Sequence, residues 1–175
     1  MFFIAASAFL FSCNNVKAKE DTKVEATDAA TKVTLPAELS YKGTPTIGKT
    51  ENVVTVMNFN NDFIAGKLDN IGSYLADSVH VVFEDGIDIN TVRDSVVAAI
   101  KAWRGSMTSA KQSYISAIAV DNKDMGHEWV IQWIDESHDY KDGKKEHRIY
   151  HEDYRLENGK IREMFQYGQG VPEKK

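Results

Sequence analysis

Chemistry in this chain centres on a few acids and rings. Glu152 lies between Tyr150 and Tyr154 in a stretch that alternates with period two, so all three side chains share one strand face. Asp135 sits in a neighbouring strand-like stretch behind Trp129, Ile131 and Trp133. A carboxyl buried against an indole loses hydration, and its pKa rises. Such a group suits general acid–base work. Glu152 and Asp135 are therefore the candidate catalytic residues. The competing reading is structural: a hydrogen bond from Glu152 to Tyr150 or Tyr154, or an ion pair with Arg162.

The histidines do not form a metal site by spacing. His147 and His151 are about 13 Å apart on an extended strand, too far to chelate one ion. His138 and His147 meet at most near a solvated hairpin tip, which is a poor zinc site. His80 and His127 read as packing or surface residues. No Ser-His-Asp order, phosphate-cradling glycine loop or CxxC pair is present. No metal and no cofactor are expected.

The elements that must position these residues follow from periodicity. Residues 127–138, 146–156 and 160–168 read as strands, joined at Asp142-Gly143 and Asn158-Gly159. A two-residue loop at Asp142-Gly143 pairs Trp133 with Glu152 and Asp135 with Tyr150. It turns Trp133, Asp135, Tyr150, Glu152 and Tyr154 into the concave face, with Arg148 near the rim. A slip of one residue reverses every side chain. The last strand has two registers. A two-residue turn sends Ile161, Glu163, Phe165 and Tyr167 inward, whereas a bulged turn sends in Arg162, Met164 and Gln166.

Ahead of the strands the apolar spacing is helical. Val53, Val54, Met57, Phe59, Phe63 and Ile64 fit one helix stopped by Gly66. Leu68, Ile71, Tyr74 and Leu75 give a second short helix that runs into a strand at Val79, Val81 and Phe83. Thr91 and Asp94 have capping-box spacing for a third helix, whose buried stripe is Val92, Val96, Ile100 and Trp103. Residues 114–120 then alternate as a strand. The fold class expected is α+β: three N-terminal helices packed in the concavity of a curved, mostly antiparallel sheet.

Two stretches carry a resemblance. "AGKLDNIGSYLADSVHV" resembles the helix-to-strand segment of SnoaL-like proteins in the nuclear transport factor two superfamily, and "YRLENGKIREMFQY" resembles their final hairpin. The resemblance implies a cone-shaped domain over 47–175. Its cavity would hold a small, mostly apolar ligand or a partner among Phe59, Phe63, Phe83, Trp103, Trp133, Tyr150, Glu152, Tyr154 and Met164. Ketosteroid isomerase belongs to this superfamily and needs a carboxylate base, a tyrosine and a neutral acid. The match puts Phe59 at the tyrosine and Phe83 at the base, leaving only Glu152 as the acid. The isomerase reaction is not expected. The alternatives are a cofactor-independent isomerase, lyase or hydrolase using a cavity carboxylate, and an assembly subunit. Relatives pair through the outer sheet face, which implies a homodimer.

The N-terminus suggests an address. Residues 2–12, FFIAASAFLFS, form a short apolar run of the length of a signal segment. Leu10-Phe11-Ser12-Cys13 resembles the lipobox of bacterial lipoproteins, which implies lipidation of Cys13 and anchoring in the cell envelope. No Lys or Arg precedes the run. Residues 14–46 are polar and poor in aromatics and read as a disordered tether spanning about 30 Å. The net charge of −5 and the lack of a basic cluster argue against nucleic acid. Cys13 is the single cysteine, so no internal disulfide forms.

Overall fold

The computed structural model describes residues 37–38 and 40–172. Cys13, the apolar run before it and most of the polar segment lie outside the described residues. The first element, β1 (Thr46–Ile47), pairs with β4 (Met107–Asn122). Just before it, Tyr41 meets the sheet, its hydroxyl 3.0 Å from both His127 Nδ1 and Trp129 Nε1.

Helix α1 (Thr50–Ala65) buries Val56, Phe59, Asn60 and Phe63, one face at helical spacing. It ends at Gly66, whose φ of 71° is the left-handed cap conformation. Arg104 reaches across from α2 (Arg93–Gly105) and donates to the carbonyls of Phe63 and Ile64, satisfying two end groups of α1.

Among the described residues there are two α-helices instead of the expected three. The stretch read as the second is a single 3₁₀ turn, Ile71–Tyr74, followed at once by β2 (Leu75–Val82). Gly66 and Gly72 leave too few residues between them for an α-helical nucleus. The turn is held by Tyr74, whose hydroxyl donates to Asp62 at 2.7 Å. Helix α2 also begins later than the Thr91 cap suggested. Residues 88–92 are instead β3 (Asp88–Val92), paired antiparallel with β2. Val92 is accordingly 58% exposed rather than part of a buried stripe.

Among the described residues, one mixed sheet of seven strands runs in the order β1-β4-β5-β6-β7-β2-β3, and β2 and β7 (Lys160–Gly170) are its one parallel pair. The sheet curves over α1 and α2, and the core fills the space between them: Val56, Ile71, Val79, Val130, Tyr154, Leu156 and Ile161 are all but sealed.

The first of the two hairpins corrects the sequence reading, and the last resolves its alternatives. Between β5 (His127–Tyr140) and β6 (Lys145–Glu157) the loop has three residues, because Tyr140 N–H donates to the Lys144 carbonyl at 2.8 Å. Gly143 supplies the positive φ, 90°. Trp133 therefore faces His151, and Gln132 faces Glu152. This one-residue difference turns Trp129, Ile131, Trp133 and Asp135 to the outer face. Trp133 is 38% exposed and stacks on His151 at 4.8 Å, so it does not line the interior. Asp135 lies outside as well, bonded to His147 at 2.8 Å. The residues that face inward from β5 are Val130, Gln132, Ile134, Glu136 and His138.

The last hairpin combines the two registers. Asn158 and Gly159, with φ of 51° and 72°, make a two-residue turn that pairs Glu157 with Lys160. The pairing then slips between Leu156↔Ile161 and Arg155↔Glu163, so Arg162 is the extra residue of a bulge. Ile161 before the bulge points inward, and so do Met164 and Gln166 after it.

Candidate functional site

A cavity of about 200 Å³ lies between the two helices and the concave face of the sheet. Its walls are apolar. Helix α1 supplies Phe59 and Phe63, β2 supplies Leu75, Val79 and Val81, and Phe83 follows β2 directly. Helix α2 adds Val96, Ile100 and Trp103, and β7 adds Ile161 and Met164. Ile89, Ser95, Ala99 and Trp103 are both lining and exposed, which places the mouth between β3 and α2. Trp103 stacks on Phe63 at 4.9 Å and closes one side of that mouth.

The floor is polar and is built from three adjacent strands and α1. Glu152 of β6 is 4% exposed. Gln132 Nε2 and the Tyr154 hydroxyl each donate to its Oε2 at 2.7 Å. Gln166 Nε2 donates to its Oε1 at 2.8 Å. Burial pushes the Glu152 pKa up, the nearby Glu136 pushes it further, and the three donors hold it back in part. The Tyr154 hydroxyl is held well above its ordinary pKa by burial and by the adjacent Glu152.

Glu136 of β5 is the second acid of the floor, 7% exposed. The Nε2 of His138, 2% exposed, lies 3.3 Å from its Oε2 without making a hydrogen bond. His138 is packed edge-on against Trp103 and Tyr140. Asn60 of α1 completes the floor. Its Oδ1 is 3.3 Å from the Tyr154 hydroxyl, and its Nδ2 is buried with no partner.

Of the residues singled out from sequence, Phe59, Phe63, Phe83, Trp103, Glu152, Tyr154 and Met164 meet at this cavity. Tyr150 is buried on the same sheet face but packs away from the cavity, against Gly168. Trp133 and Asp135 are on the opposite face. Arg148 pairs with Glu84 at 2.7 Å. Sequence reasoning missed Asn60, Gln132, Glu136 and His138. The signal of the last three was present as a period-two row on β5, but the indoles and isoleucine of the other row were taken as the inner one. Among the described residues no group of three or more His, Cys, Asp or Glu side chains is placed to hold a metal ion.

Chemically, the floor can accept hydrogen bonds at Glu136 and turn an unpartnered amide toward a guest. Glu152 is engaged on both oxygens. Phe59 and Phe83 offer apolar contact and neither gives nor takes a proton.

No known family model matches the chain by sequence. No curated protein matches it either. Solved structures do match. An LEH-like epoxide hydrolase of M. tuberculosis superposes with a TM-score of 0.58 at 13% identity, over 69% of this chain and 84% of that one. An NTF2-like protein of unknown function from Exiguobacterium sp. 255-15 gives 0.54 at 15% identity, over 67% of this chain and 99% of that one. A protein with a ketosteroid isomerase-like fold from Catenulispora acidiphila DSM 44928, in complex with trimethylamine, gives 0.53 at 12% identity, over 65% and 83%. These likenesses establish the NTF2-like cone fold. At such identities they carry the architecture and not the reaction.

Proposed function

We propose that the cone domain is a binding module for a small, mostly apolar ligand with one polar end. The observation that carries this reading is the cavity itself: apolar walls, a mouth beside α2, and a few convergent polar groups at the floor. The two acids singled out from sequence are not free for catalysis. Asp135 lies outside the cavity in a pair with His147, and Glu152 has three donors on its two oxygens. The trimethylamine complex of the Catenulispora protein is a precedent for a small guest in this fold.

Toluene tests the reading. In amide NMR spectra of the protein, toluene should saturate a set of shifts at residues 59–63, 79–83 and 161–166. Shifts that are absent, or that scatter over the surface, contradict it.

We further propose that Cys13 is lipidated and ties the domain to a bacterial envelope membrane. The support is the apolar run ending at Ser12-Cys13. Labelled palmitate should enter the protein expressed in a bacterial host, and Cys13→Ala should abolish the label. Label retained in that variant sinks the idea.

A further inference from the structure

The charge balance of the cavity, taken with the binding reading on which it rests, narrows the guest to one class. Two carboxyl groups, Glu136 and Glu152, face it, and no lysine or arginine lines it among the described residues. Glu152 is matched by three donors. Glu136 is not: it is 7% exposed, and its one neighbour of possible positive charge, His138 Nε2 at 3.3 Å, makes no hydrogen bond to it. A desolvated carboxylate with no donor lacks the partner that burial demands.

Asn60 is the second group in want of a partner. The single Tyr154 proton lies with Glu152 at 2.7 Å rather than with Asn60 at 3.3 Å. The amide then satisfies the hydroxyl oxygen best with its nitrogen, which turns its carbonyl oxygen to the unpartnered position. The two free groups that line the cavity, Glu136 and Asn60, are thus acceptors. The walls above them are rings, and a cation within about 6 Å of a ring face is attracted to it.

We infer that the cavity selects a small protonated amine, its ammonium group donating to Glu136 and Asn60 and its apolar body among Phe63, Phe83 and Trp103. Size agrees. An apolar cavity of about 150 Å³ takes benzene, so about 200 Å³ suits a guest of about eight non-hydrogen atoms.

Benzylamine and benzyl alcohol share that size and differ in charge, and phenylacetate, two atoms larger, carries the opposite charge. Titrated calorimetrically into the full chain at pH 7, benzylamine should bind about tenfold or more tightly than benzyl alcohol, and phenylacetate should not compete. In Glu136→Gln that preference should vanish, with a circular dichroism melt showing the variant folded. Equal affinities for benzylamine and benzyl alcohol, or a preference that survives Glu136→Gln, overturn the amine assignment and leave the binding module standing. If toluene and all three probes fail to bind, the binding module falls and the assignment falls with it. If Glu136→Gln does not fold, the ranking of the three probes in the native chain decides alone.

Discussion

Glu152 illustrates how much a single residue's neighbours decide. Its type and its place between two tyrosines were visible in the sequence. Its donors were not, because Gln132 and Gln166 come from two other strands whose registers depend on loop geometry. The folded-state pKa lies above the unfolded value of 4.5, because burial and Glu136 both oppose ionisation. As pH rises past that value the unfolded chain gives up the proton first. The native state then holds more protons, so this residue's contribution to stability falls with rising pH until Glu152 itself ionises, and is flat beyond. Glu152→Gln removes that dependence. Thermal melts of the two proteins should diverge in the variant's favour as pH rises from 4 to 8, and a gap that shrinks with pH contradicts the account. Tyr154→Phe takes a donor from the same carboxyl and should cost about 1–3 kcal/mol in urea unfolding at neutral pH.

At the scale of elements, the long periodic segments were readable and the short ones were not. Helix α1 announced itself through Val53 to Ile64 and the Gly66 stop. The β6 face was assigned correctly, with Tyr150, Glu152 and Tyr154 inward. The β5 face was not, because Asp142-Gly143 can close a two-residue or a three-residue loop, and only the latter pairs Tyr140 with Lys144. Hydrophobicity could not arbitrate. The outer row of β5 is the more aromatic one, and it is covered in part by neighbours rather than by the core: Trp129 bonds to Tyr41 and Trp133 stacks on His151. The bulge at Arg162 escaped for a related reason, since a slipped strand satisfies both inward patterns in turn. The register makes a sharp prediction. Ile134 is 1% exposed, so Ile134→Glu buries an unpaired charge and should cost about 3–5 kcal/mol or prevent folding. Trp133→Glu, one residue away, should fold at a cost of about 1–2 kcal/mol. The reverse ranking in urea titrations would restore the two-residue loop.

The molecule as a whole is a curved sheet whose two faces differ in kind. The inner face meets two helices and leaves a space. The outer face exposes Ile115, Ile118, Trp133, Ile149 and Tyr167 around polar side chains. The cone architecture was legible before the structure, because a helical half followed by a long antiparallel meander has few ways to bury its apolar faces. The nature of the space was only half legible. Most of its rings were named from sequence, but Trp133 and Tyr150 were wrongly placed there, and the acids were half wrong, since Asp135 and Glu136 exchange places when one loop gains a residue.

Xenon under pressure reads that space most directly, since it enters apolar cavities and needs no polar partner. Crystals of the protein should show a xenon peak among Phe59, Phe63, Phe83 and Met164, above the Glu152 floor. Crystals in which those four side chains pack against one another, with no xenon between them, would contradict the account.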